Sequence, residues 1–227
     1  MAAHPLNTDG HGLRLPVPVL NRFIRYLVPL VCLAPLGEVH AASTVDLRVT
    51  GRVIPDACHI ELTNGGSVDH GRIASHSLNP DEYTVLPSRT LELHVQCARP
   101  MLFALVGVDN RAESSMAPDF FYGLGRNIHA PTERLGSVAL SYRNPVGDAQ
   151  PMQVLASTSN GESWTPDPNA YPRSYMAFAP AGDRQPDFVS QLTVQLQVDT
   201  AINFSQQLTL DQEVPLDGSI VLDLRYL

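Results

Sequence analysis

The sequence contains no lysine; all fifteen of its basic residues are arginine, set against 23 acidic ones for a net charge of −8. Phosphate recognition needs clustered Lys/Arg. No basic stripe lies outside the N-terminus, so nucleic acid is excluded as a partner. No apolar run approaches the roughly 20 residues of a spanning helix. Long Ala/Glu/Lys/Leu stretches are also missing, which argues against a helical protein. Metal spacings of the His-x-x-x-His or Cys-x-x-Cys type are absent, as is a Gly-x-Ser-x-Gly elbow. The expectation is therefore no enzyme, no metal and no cofactor. Glycine (15) and proline (19) fall short of a low-complexity chain, and 44% hydrophobic content in 227 residues can bury a core.

Of the three cysteines, Cys32 sits in an N-terminal export pattern. Arg14, Arg22 and Arg25 precede an uncharged stretch from Leu27 to Leu36, and Val39-His40-Ala41 offers a small-x-small cleavage end. Residues 1–41 read as a secretory signal. Cys32 lies inside the apolar stretch behind Val31, which does not suit lipidation. Cleavage after Ala41 leaves 186 residues with Cys58 and Cys97. An even count in an exported chain points to a disulfide.

Period-two alternation dominates both ends of the mature chain. Val45, Leu47, Val49, Gly51 and Val53 alternate with Asp46, Arg48, Thr50 and Arg52, which puts one apolar row on one strand face. Cys58, Ile60 and Leu62 share a second row, and Leu91, Leu93, Val95 and Cys97 a third, so both cysteines continue apolar rows. Residues 101–108 form a continuous apolar run, and 137–142 a short further candidate. Leu192 to Val198 alternate again, followed by Leu208 and Leu210. After Asp217-Gly218 come Ile220, Leu222, Leu224 and Tyr226. Between 109 and 187, proline rules out long helices, leaving loops, short strands and one helical turn near Asp119–Tyr122. About eight short strands separated by turn signals predict an all-β antiparallel β-sandwich.

The segment Gly51-Arg-Val-Ile-Pro-Asp-Ala-Cys58 resembles the start of chaperone–usher pilins, the fimbrial subunits of Gram-negative bacteria. The second cysteine follows some forty residues later, and Gly218-Ser-Ile-Val-Leu-Asp-Leu-Arg-Tyr-Leu227 resembles the last pilin strand, with tyrosine penultimate. The resemblance covers both ends, the cysteine pair and the export signal, but not the middle.

It implies an immunoglobulin-like, pilin-type sandwich lacking its last strand, over residues 57–227, behind a donor-strand extension at 42–56. Val45, Leu47, Val49, Gly51 and Val53 would be the donor residues, and Ile220, Leu222, Leu224 and Tyr226 the wall of the acceptor groove. The implied partners are a periplasmic chaperone, an outer-membrane usher and neighbouring pilin subunits. The implied location is the fimbrium at the cell surface, reached through the periplasm, with adhesion to a host or surface glycan as a further role. The competing expectation is a self-contained secreted carbohydrate-binding sandwich, in which Trp164, Tyr171 and Tyr175 stack on sugar; packing beneath long loops is the simpler role for those aromatics. His94 is expected on a polar face, and Ser67, Asp69 and His70, as close sequence neighbours, are not expected to form a triad.

Overall fold

The computed structural model describes Arg48 and residues 58–227. The chain divides into two units, residues 1–50 and 51–227. The export signal and the donor residues Val45, Leu47, Val49, Gly51 and Val53 lie outside the described residues. Among the described residues of the second unit there are eleven strands: β1 (His59–Leu62), β2 (Thr84–Val85), β3 (Arg89–Met101), β4 (Phe103–Asp109), β5 (Tyr122–Gly123), β6 (Gly136–Gly147), β7 (Gln150–Ser157), β8 (Thr165–Pro166), β9 (Tyr175–Pro180), β10 (Val189–Ile202) and β11 (Ile220–Tyr226). Eight of them form one antiparallel path, β1-β3-β10-β6-β7-β9-β4-β11, and the two-residue strands β2, β5 and β8 attach to its sides. The fold is the all-β antiparallel sandwich that the alternation predicts.

One layer is β1-β3-β10-β6 and the other β7-β9-β4-β11. The β6–β7 hairpin joins them, pairing Gly147 with Gln150. Asp148 and Ala149 occupy its two-residue turn at φ 46° and 64°, the left-handed backbone that such hairpins need. The Asp148 carboxylate accepts the N–H groups of Ser190 and Gln191, which ties the turn to the start of β10. Proline is accommodated where a ladder already breaks. In β6, Asn144 and Pro145 fall at the register shift opposite Thr193–Gln195, so the missing N–H of Pro145 coincides with a bulge.

The long strands carry the core because their alternating rows face each other across the layers. Leu93, Val95, Leu192 and Val194 from one layer meet Phe103, Leu105, Met176 and Phe178 from the other, all buried. A smaller cluster of Ala104, Leu155, Trp164, Ala177 and Ala179 lies on the outer side of the second layer. It uses the other face of β4, which explains the unbroken apolar run there. The middle of the sequence is more regular than its proline content suggests, since β6 and β7 both lie in it. The helical turn expected near Asp119–Tyr122 lies slightly earlier, over 117–121, where Phe120 and Phe121 both donate to the Ala117 carbonyl at the three- and four-residue spacings of a helix. Tyr122 already enters β5, and a 3-10 turn precedes it at Ala112–Ser114.

Cys58 and Cys97 form the disulfide, 39 positions apart. The β1–β3 register, with His59 opposite Gln96, leads directly to that pair.

Candidate functional site

Closure of the sandwich stops between β1 and β11. Among the described residues β1 pairs only with β3, and β11 only with β4. A cleft of about 620 Å³ opens along this gap. Its floor is apolar and belongs to the first layer: Leu91 of β3, Leu140 of β6, and Leu196 and Val198 of β10 are buried beneath it. One wall is Leu62 and the stretch from Gly66 to Leu78; the other is Ile220, Leu222 and the stretch from Leu208 to Gly218.

The β11 edge presents hydrogen-bonding groups to this cleft. Leu227 N–H donates to the Leu102 carbonyl, and Asn110 N–H donates to the Ser219 carbonyl. In an antiparallel ladder every second residue bonds to a given neighbour. Val221, Asp223 and Arg225 therefore turn their backbone groups to β4. Those of Ile220, Leu222, Leu224 and Tyr226 turn the other way, toward the gap. The side chains of Ile220, Leu222 and Leu224 pack, half-buried, against the core. Val221, Asp223 and Arg225 lie on the outer face, where Arg225 pairs with Asp223 at 2.6 Å. Tyr226 differs from its three companions: its ring is 48% exposed, and its hydroxyl accepts the Cys58 N–H at 2.8 Å. That bond bridges the two edges and marks one end of the gap.

The 208–218 wall contains no strand, although Leu208 and Leu210 continue an alternating pattern. Three polar attachments hold it against the loops on either side of β5. Glu133 accepts the N–H and hydroxyl of Thr209, both at 2.7 Å, while the buried Asn127 amide donates to Glu133 and to the Thr209 carbonyl. The His129 ring meets the Glu213 carbonyl at 3.2 Å. Arg111 donates twice to Asp217, whose own N–H donates to the Leu124 carbonyl. The bonds from Thr209, led by its backbone N–H, hold the Glu133 carboxyl below its ordinary range. Sequence reading did not find this wall; its signal was two leucines at strand spacing with polar anchors four residues apart.

Other candidate residues do not converge. His70 lines the cleft and meets the Thr200 hydroxyl at 3.0 Å. Burial and then Arg89 lower its pKa, against the opposing pull of Asp69. Asp69 accepts the Gly71 N–H, so Ser67, Asp69 and His70 build no relay. His94 pairs with Glu92 at 2.7 Å on an exposed face. Among the described residues no group of three metal-ligating side chains comes together. Trp164 is buried and Tyr175 packs against the same cluster, while Tyr171 stands edge-on to Phe120.

Comparison with known proteins gives partial matches. A family model described as "Protein of unknown function (DUF1120)" matches residues 47–130. Protein GltF of Escherichia coli (strain K12) is 25% identical over 82% of this chain and 89% of its own length. The uncharacterized protein YhcF of the same organism is 24% identical over 84% of this chain and 93% of its own. The chain is thus similar along most of its length to two E. coli proteins, and the family resemblance begins within the alternating segment that precedes Cys58.

Proposed function

We propose that the protein is a structural subunit of surface fibres, assembled by strand donation in the manner of chaperone–usher pilins. The observation that carries this reading is the apolar-floored cleft between β1 and β11, together with an alternating segment at 43–54 whose apolar row suits it. A strand laid in the cleft meets the backbone groups of Ile220 and Leu222 on one side, which is strand addition to a sheet edge, while Leu224 and Tyr226 continue that edge beyond the cleft lining. Backbone bonds supply affinity and every second side chain supplies register. Each large apolar side chain so buried contributes about 1.5–3 kcal/mol. Val45, Leu47 and Val49 are the donor side chains, with Gly51 suited to a position too shallow for a side chain. Before assembly a periplasmic chaperone fills the cleft, and an outer-membrane usher exchanges it for the next subunit's strand.

A self-contained carbohydrate-binding module has less support. Two of its three aromatics, Trp164 and Tyr175, are committed to packing.

The test uses the full oxidised chain carrying Leu47→Asp and Val49→Asp, which disables its own donor segment. A synthetic peptide of residues 43–56 is added and thermal unfolding followed. A rise of several degrees, absent for a peptide with the same two substitutions, is expected. An unchanged melting temperature would refute strand donation.

A further inference from the structure

The spacing of apolar residues leaves the first wall of the cleft weakly held. Between Gly66 and Leu78 the large apolar residues are Val68, Ile73 and Leu78, five positions apart. In a strand that odd spacing sends successive ones to opposite faces, so no ladder can gather them. The stretch accordingly contains one 3-10 turn, Ser75–Ser77, and no strand. Val68, Ile73 and Leu78 pack half-buried against the core. Among the described residues, one hydrogen bond joins 68–78 to other parts of the chain: the His70 ring meets the Thr200 hydroxyl at 3.0 Å. The other bonds of the stretch are internal, from Gly71 to Asp69 and from Ser77 and Leu78 back to Ala74 and Ser75. Thr200 belongs to β10 in the floor of the cleft and is buried.

We propose that His70 is a pH-sensitive latch: protonation of its ring releases the 66–78 wall and opens the apolar floor in mild acid, while the 208–218 wall stays in place. A hydroxyl accepts from a charged ring as readily as it serves a neutral one, so the bond to Thr200 places the ring without choosing its charge. The surroundings choose. Burial disfavours the imidazolium first, and the Arg89 guanidinium at the start of β3 repels it, against the pull of Asp69 on the same stretch. Asp69, Arg72 and Glu213 are the charged groups that line the cleft with it. A closed wall therefore favours neutral His70. An open one gives the ring to water and takes it away from Arg89, which favours the charged form. The latch contributes fully above histidine's ordinary 6.5 and is lost as pH falls through the lower value of the closed wall.

The opposite wall responds differently. The Glu213 carbonyl accepts from a neutral or a protonated His129 alike, so acid leaves that bond in place. Glu133 keeps its hold on Thr209 until pH falls below the ordinary carboxyl range, because its own pKa is lowered. Mild acid thus acts on one wall only. The latch governs access to the floor whatever occupies it, so it stands apart from strand donation.

The experiment uses Nile red, an uncharged dye that brightens in apolar surroundings, with the full oxidised chain titrated from about pH 8 to about pH 5. Wild type should show a reversible, several-fold rise in emission with a midpoint below 6.5, at constant far-ultraviolet circular dichroism. His70→Gln offers Thr200 a hydrogen-bonding group but takes up no proton, so its profile should be flat. Arg89→Gln removes the repulsion, so its midpoint should move up toward 6.5. His129→Gln should leave the midpoint where it is. A flat wild-type profile, an acid rise that survives in His70→Gln, or a midpoint unmoved by Arg89→Gln would each overturn the latch. A midpoint displaced by His129→Gln would do the same.

Discussion

Removing the disulfide should cost more than any single surface change, and the cost should fall on the wall of the cleft. The bond joins Cys58 and Cys97, 39 positions apart. Closing a loop of that length removes about 4 kcal/mol of chain entropy from the unfolded state. For a domain of this size about 2–4 °C of melting temperature goes with each kcal/mol, so Cys58→Ala with Cys97→Ala should lower it by about 8–16 °C. The structure adds where the loss appears first. β1 has four residues and, among those described, pairs only with β3, so the disulfide is its main tether. Calorimetry of the oxidised wild type against the double variant gives the magnitude, and native-state amide exchange gives the location. Amides of His59–Leu62 should lose protection while those in the centre of β10 retain most of theirs. A drop below about 3 °C would sink the entropic argument, and uniform loss of protection would sink the local one.

Four further substitutions have definite expected outcomes. Glu133 has its folded pKa depressed by Thr209, so its contribution is full above the unfolded carboxyl value and is lost as pH falls through the lower, folded one. The urea midpoint should decline over that acidic window, and Glu133→Gln should flatten this part of the profile; an unaltered profile would show that the Thr209 attachment contributes nothing. Ala149 holds φ 64°, which costs an L-residue about 1–2 kcal/mol, so Ala149→Gly should raise the melting temperature by a few degrees, and a decrease would contradict the turn geometry. The Tyr122 hydroxyl is buried with no hydrogen-bond partner among the described residues, and a Cβ on Gly107 would lie 2.0 Å from it. Tyr122→Phe should therefore stabilise by about 1 kcal/mol and Gly107→Ala should destabilise by about 1–3 kcal/mol, both readable by denaturant titration.

The sequence determined what depends on period and count. Alternation at two-residue spacing identified the strands around Ile60, Leu93, Leu196 and Leu222, because a strand sends successive side chains to opposite faces whatever its partner. Two cysteines continuing apolar rows foretold their bond. Residues 150–157 hid as a strand because their proline masks the pattern. Tyr226 alternates like Leu224, yet tertiary structure uses it as a bridge to Cys58 instead of core. The cleft itself could not be read locally. Its floor comes from strands more than a hundred positions apart, and its 208–218 wall is set by Glu133, Asn127 and Arg111 from elsewhere in the chain. Strand pattern is a property of neighbours in sequence, whereas a gap between two edges exists only once the layers have closed everywhere else.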